Sequence, residues 1–343
     1  MKTLFFLSIL FVLTLKATSQ NPLIVSEGES TIIYALPKTE LCITVETEKT
    51  TQKPGIFYRY SGRYLATNKV ITEEKTSYRL KSIQVTPRAV ADQNRTFSYI
   101  PSGNSSRLSL TSKGILCGVN VPAEKDTEAA ETVVLPGKGN TQPDALLPLG
   151  EEYMMAGSEA KLAEGAAKQI YRIRESRLGL LTADTDKLPA DGDSFKSMQA
   201  GLNNMERDLT ELFIGKTTTE TQTQTLYLTP ENAVTNDVLF RLSSIKGLVN
   251  SDDLSGTPYY ISIQPKDIKK AGNQKTKIGT EGICSILPAS TQLTITDGVN
   301  TILSKQLFMP QFGIVIPLAE KLLKQQNIKI QVDSQTGRLL KIE

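Results

Sequence analysis

Leu41-Cys42-Ile43-Thr44-Val45-Glu46 sets Leu41, Ile43 and Val45 in alternation with Cys42, Thr44 and Glu46. A period of two buries one face of an extended chain and wets the other, so this stretch reads as a half-buried β-strand. A second run, Thr31–Leu36, precedes it across Pro37-Lys38-Thr39. Tyr78–Thr86, Thr96–Ile100 and Arg107–Val121 repeat the style, with Pro101-Ser102-Gly103-Asn104 as a turn before the last. After residue 216 the chain returns to it in Thr217–Thr229, Val238–Ser243, Pro258–Ile263, Gly282–Leu287, Gln292–Thr296, Thr301–Phe308 and Phe312–Ile316. Asp297-Gly298 marks a hairpin turn, and Ile328–Val332 with Leu339–Ile342 form a closing hairpin over Ser334-Gln335-Thr336-Gly337. Many short strands at such spacing predict a sandwich-like β architecture.

Two kinds of helix interrupt the strands. After Pro54-Gly55, Phe57, Tyr60, Tyr64 and Leu65 recur at helical spacing, which predicts a short helix lying on the sheet. In the middle of the chain, Phe195, Met198, Leu202, Met205, Leu209 and Leu212 recur at alternating steps of three and four, a narrow apolar stripe. Asp193 suits its N-cap and Gly215 its end. The stretch Ala160–Leu181 also reads as helix, and Pro189 and Gly192 force a break between the two. Two helices with a short polar connection pack as an antiparallel hairpin. The predicted fold is therefore α+β, predominantly β and sandwich-like, with a central antiparallel helical hairpin.

The expected organisation is a signal peptide at 1–19, an N-terminal β-rich domain at 20–121, a linker or loop at 122–152, the helical hairpin at 153–215 and a C-terminal β-rich domain at 216–343. The leader has a short positive start, Met1-Lys2-Thr3, an apolar core Leu4–Leu15, and Ala17-Thr18-Ser19 ahead of the cut. That core falls short of the ~20 residues a membrane-spanning helix needs. No later stretch is apolar for long enough, so no transmembrane span is expected after cleavage. The linker is rich in Pro and Gly and holds seven carboxylates (Glu124, Asp126, Glu128, Glu131, Asp144, Glu151, Glu152) against Lys125 and Lys138, a composition unable to offset its own ordering entropy.

The chain of 343 residues has 39 Lys+Arg, 36 Asp+Glu and 39% hydrophobic residues, values of an ordinary globular protein. Losing Lys2 and Lys16 with the leader leaves 37 basic against 36 acidic residues, a balance that gives no case for nucleic-acid binding. The one basic cluster, Lys266, Lys269, Lys270, Lys275 and Lys277, reads as a solvated loop. Histidine and tryptophan are absent, which removes Ser-His and Cys-His nucleophile pairs and the H-E-x-x-H zinc site. Cys42, Cys117 and Cys284 lie in apolar, strand-like stretches and read as small buried thiols, with a Cys42–Cys117 bridge as the alternative for the first pair.

Motifs that would carry chemistry fall short of their templates. Gly215-Lys216-Thr217 ends like a P-loop, but Thr210 stands where the first glycine belongs and the order runs helix to strand. Two S-x-x-K matches, at Ser158 and Ser243, lack a following K-T-G. Asp184, Asp186, Asp191 and Asp193 could gather a calcium ion, although Pro189 occupies the glycine position of an EF-hand loop. Apart from that ion no cofactor is expected. Tyr58, Arg59, Tyr60, Arg63 and Tyr64 form the densest aromatic–basic patch and are the candidate ligand-binding residues, set against a reading in which Tyr60 and Tyr64 pack inward and the arginines face water.

Phe57-Tyr58-Arg59-Tyr60-Ser61-Gly62-Arg63-Tyr64-Leu65, followed by Val70-Ile71-Thr72-Glu73, resembles the domain of unknown function 4831 family. So do Tyr171-Arg172-Ile173-Arg174-Glu175-Ser176-Arg177, Leu180-Leu181-Thr182 and Lys187-Leu188-Pro189-Ala190-Asp191-Gly192. The resemblance implies an exported bacterial protein of a Gram-negative cell envelope and brings no reaction, cofactor or catalytic residue. The expected function is that of an exported, periplasmic or cell-envelope protein, a non-enzymatic binding or assembly module with a protein partner. The alternative is a carboxylate-based hydrolase acting on glycans, which needs only two carboxyl groups and no histidine.

Overall fold

A computed structural model describes residues 31–100, 107–123, 151, 155, 157–182, 192–266, 282–323, 325 and 327–343. The leader, most of the 122–152 segment and most of the basic cluster lie outside the described residues.

The alternation at Leu41 holds for far longer than the sequence reading allowed. Thr31–Leu36 and Leu41–Thr47 are not two runs but one strand, β1, Ile32–Lys53. It pairs antiparallel with β2, Lys75–Tyr99, along nearly its whole length. Proline lacks the N–H that a ladder needs, yet Pro37 does not end the strand. The register shifts between Ala35 and Pro37, where the partner chain jumps from Thr96 to Ala91. The looped-out residues are held down, because Arg95 donates to the Pro310 and Gln311 carbonyls at 2.8 Å each and pairs with buried Asp92. A bulge thus bends the strand without breaking it.

The same device joins other runs that look separate in sequence. After β3 (Leu108–Leu110), β4 (Leu116–Val119), α1 (Ser61–Tyr64), α2 (Glu159–Thr182) and α3 (Gly192–Ile214) come β5 (Lys216–Leu228), β6 (Val234–Ser243), β7 (Gly247–Val249) and β8 (Thr257–Pro265). Gly282–Leu287 and Gln292–Thr296 then fall in the single strand β9, Cys284–Thr296. Thr301–Phe308 and Phe312–Ile316 fall in β10, Thr301–Pro317, with a register shift between Met309 and Ile314. A short helix, α4 (Glu320–Leu323), leads to β11 (Ile330–Val332) and β12 (Leu339–Ile342). In the other direction, Arg107–Val121 divides into β3 and β4, because the Thr111 hydroxyl accepts from the N–H groups of Lys113 and Ile115 and closes a tight turn between them.

The strands form three sheets in the orders β2-β1-β5, β10-β9-β8-β6-β7 and β12-β11-β4-β3. The first two stack as a sandwich. Leu41, Ile43 and Val45 from β1 and Ile83 and Val85 from β2 face Phe240, Ile261, Ile263, Leu293, Ile295 and Met309 of the five-stranded sheet. A second core joins the other end of the ribbon, Tyr34, Leu36, Phe97 and Tyr99, to Leu116, Val119, Ile286, Ile330 and Val332. Buried Tyr34 is satisfied there by donating to the Gly282 carbonyl and accepting from the Cys284 N–H. The strands before the helical hairpin and those after it therefore share sheets and cores: β1 pairs with β5, and β4 with β11.

The helical hairpin closes the far end of the ribbon. Arg174 and Arg177 of α2 both reach Glu206 of α3, while Ala163, Ala166 and Ile170 pack with Leu209 and Phe213, so the helices run antiparallel. Only the base of the apolar stripe is buried as expected. Leu209 is buried, whereas Met198 and Met205 remain 44% and 39% exposed, because nothing among the described residues covers the outer half of the hairpin. The residue that anchors the seam is Phe213, fully buried and outside the stripe, its ring 5.5 Å from Phe57. The short helix after Pro54-Gly55 does not lie on the sheet: Phe57, Tyr60, Tyr64 and Leu65 pack on the hairpin helices.

None of the three cysteines forms a disulfide, so no Cys42–Cys117 bridge exists. Cys117 lies in the four-stranded sheet, whereas Cys42 sits half-buried on the outer face of β1, opposite Thr86 and Tyr227. Its parity on the strand turns it away from the core that buries Leu41 and Ile43.

Candidate functional site

Where the ribbon meets the hairpin, backbone pins backbone. The Phe57 N–H donates to the Leu212 carbonyl at 2.7 Å and the Ile71 N–H to the Ile214 carbonyl at 2.9 Å. These bonds hold the 3₁₀ turn Tyr58–Tyr60 and α1 against α3, and the Ser61 hydroxyl tightens the turn by donating to the Tyr58 carbonyl at 2.7 Å. With the backbone fixed, side chains sort by which way they point. Phe57 goes fully inward, Tyr60 and Tyr64 lie half-buried with ring centroids 6.2 Å apart, and Arg59 and Arg63 stand in solvent.

The arginines are nonetheless ordered by the tyrosines. The Arg59 guanidinium lies 5.6 Å from the Tyr58 ring centroid and donates from Nε to its hydroxyl at 3.2 Å. That hydroxyl raises the pKa of Arg59 above its ordinary value, so the charge is permanent. Arg63 stacks on Tyr64 at 5.4 Å. From α2, the Tyr171 hydroxyl donates to the Tyr64 carbonyl at 2.9 Å, and Arg174 lies over the Tyr171 ring at 5.6 Å. The result is a surface of four tyrosines and three arginines drawn from two segments about a hundred residues apart. Chemically it offers flat aromatic area, phenol hydroxyls and oriented guanidinium forks, a set suited to carboxylates and to protein surfaces.

All five residues of the sequence patch are thus in one place, and the structure adds Tyr171 and Arg174. A spacing of three on a helix puts a Tyr and an Arg on one face, which is the only trace of the pair in the sequence. Two of the stretches that carry the family resemblance, 57–65 and 171–177, meet at this surface.

The other candidate residues stay apart or fall elsewhere. Asp184, Asp186 and Asp191 lie outside the described residues, and Asp193 sits in the first turn of α3 with its side chain in water, 3.4 Å from Lys196. Among the described residues no three His, Cys, Asp or Glu side chains gather into a metal-binding group. An open hollow of about 490 Å³ at the edge of the sandwich is lined by Gln224, Leu226, Leu239, Phe240, Leu248 and Asp252 among others. No helix among the described residues is long and apolar enough to cross a membrane.

The architecture is that of a predominantly β protein with a helical hairpin at one end of a long ribbon and an arginine–tyrosine surface at their junction. The chain belongs to the family described as Domain of unknown function (DUF4831), whose model matches residues 30–340. No curated protein and no solved structure matches it.

Proposed function

We propose that the protein is exported to the bacterial cell envelope and acts there as a non-enzymatic binding or assembly module whose arginine–tyrosine surface engages a protein partner. The observation that carries this reading is the pre-ordered surface of Tyr58, Arg59, Arg63, Tyr64, Tyr171 and Arg174. Tyrosine and arginine dominate binding hot spots because they bring large contact area and directed hydrogen bonds at little cost in freedom. Stacking each guanidinium on a ring removes part of the ordering cost before a partner arrives. The export half of the proposal rests on the leader at 1–19 and on the envelope setting that the family resemblance implies.

The test is affinity purification of the processed chain from its own envelope, run beside an Arg59→Glu/Arg63→Glu variant. One recurrent protein partner is expected with the parent chain, its recovery falling about tenfold or more in the variant, as hot-spot arginines would dictate. Identical recoveries, or turnover of a glycan by the purified chain, would overturn the binding role. Mass analysis of the cellular protein is expected to find Gln20 at the amino terminus; an intact Met1 in the cytosol would overturn export.

A further inference from the structure

Sheet edges expose unpaired N–H and C=O groups, and proteins guard them with short strands, proline, charge or bulges. Among the described residues the three sheets have six edges, and five of them are guarded. β3 and β7 are three residues long and β12 four, β2 carries Pro87 and two register shifts, and β10 carries Pro310 and two shifts of its own. The sixth edge, β5, has neither shortness, proline nor bulge among the described residues, and its only charges are Lys216 at its start and Glu220. It runs for 13 residues, pairs with β1 without a single register shift, contains neither Pro nor Gly, and is solvent-exposed at all but three positions.

The direction of its backbone groups follows from two side-chain bonds. The Thr47 hydroxyl donates to the Gln222 carbonyl at 3.4 Å, and the Thr218 hydroxyl to the Thr51 carbonyl at 3.5 Å. Even-numbered residues of β5 therefore bond inward to β1, and the odd-numbered threonines turn their N–H and C=O groups outward.

We propose that this edge pairs with the same edge of a second copy, antiparallel, about a two-fold axis at Thr221. Thr217-Thr218-Thr219-Glu220-Thr221-Gln222-Thr223-Gln224-Thr225 is close to a mirror of itself in chemistry. Reversed about Thr221, it sets Thr217 against Thr225, Thr219 against Thr223 and Thr221 against itself on the outer face. On the other face Glu220 meets a Gln222 amide, and Thr218 a Gln224 amide. Threonine pairs and carboxylate–amide pairs across strands are favourable, and no like charges stand opposite each other along this stretch. A partner strand with apolar side chains would find no apolar surface along 217–225, which argues for a second copy over an unrelated chain. The product is a continuous six-stranded sheet, β2-β1-β5 joined to its symmetry mate.

Sedimentation or light scattering of the processed chain is expected to give a dimer across the micromolar range. Thr223→Pro removes one outward N–H without touching the β1 ladder, and is expected to leave the circular dichroism unchanged while yielding a monomer. Thr221→Arg, which sets like charges against each other at the axis, is expected to do the same. Under mild oxidation Thr221→Cys is expected to link two copies, whereas Thr217→Cys, its two copies about 27 Å apart, is not. A monomeric parent chain, a dimer that survives Thr221→Arg, or equal linking at both cysteines would overturn the proposal. The Arg59→Glu/Arg63→Glu variant should remain dimeric, so this pairing and the partner surface fail or stand separately.

Discussion

Gly55 occupies a point at which no side chain fits, since a Cβ there would lie 2.3 Å from the Leu212 carbonyl oxygen. Gly55→Ala must push the hairpin away from the ribbon, and is expected to lose at least ~1–3 kcal/mol in a urea titration, the range of an overpacked core. The thiols make a second test. Cys117 and Cys284 are buried, and burial pushes the Cys284 thiol above its ordinary pKa. Half-buried Cys42 is also raised, by desolvation first, with Arg88 opposing and Glu40 adding to it. A thiol reagent is therefore expected to label Cys42 alone, and slowly, in the native protein and all three cysteines in denaturant. Asp253 supplies a pH dependence. The Ser255 hydroxyl, then its N–H, and Lys246 lower its pKa from 3.8 to about 2. A depressed folded-state pKa stabilises the fold above pH 3.8 and loses that contribution as pH falls toward about 2. Asp253→Asn is expected to flatten the stability curve in that window, by a small amount because the side chain is solvated.

At the scale of elements, the helical stripe shows how far periodicity reaches. Spacing alone marks α3 as amphipathic and finds Leu209, but it cannot say which half of the helix meets a neighbour. That depends on where Phe57 and α2 arrive. Phe213→Ala is expected to destabilise by ~3–5 kcal/mol, since it empties the centre of the seam, whereas Met198→Ala should cost well under ~1 kcal/mol because the methionine is half in water. Denaturant midpoints of the two variants decide it. The strands teach a related lesson. Alternation identifies β1, β9 and β10 correctly as strands, yet Pro37 and the Met309–Gln311 stretch read locally as ends. They are bends, because Arg95 and Gln311 tie the displaced backbone to neighbouring strands: the Gln311 amide accepts from the Thr39 N–H and donates to the Thr39 carbonyl, both at 2.9 Å. Gln311→Ala leaves those groups unpaired and is expected to lower stability by ~1–3 kcal/mol in the same titration.

For the whole molecule, the long β1–β2 ribbon does the organising. It contributes to the four-stranded-sheet core at one end and to the sandwich in the middle, and its far end runs into the helical hairpin. Residues separated by more than two hundred positions thereby become neighbours, as Tyr34 and Gly282 do. The candidate surface has the same origin. Tyr58, Arg59, Tyr60, Arg63 and Tyr64 are adjacent in sequence and legible there, while Tyr171 and Arg174 join them only because the hairpin is seated on the ribbon. What the amino-acid order determines by itself is local and periodic: strand type at Leu41–Glu46, helix type at 160–181 and 195–212, the hairpin turns, and the exclusion of imidazole chemistry. These depend on the few residues within one turn or one pleat of each other. Which strands neighbour one another, which half of a stripe is buried, and which tyrosines share a surface were decided by tertiary packing alone, because burial and long-range pairing are properties of the partner segment as much as of the residue itself.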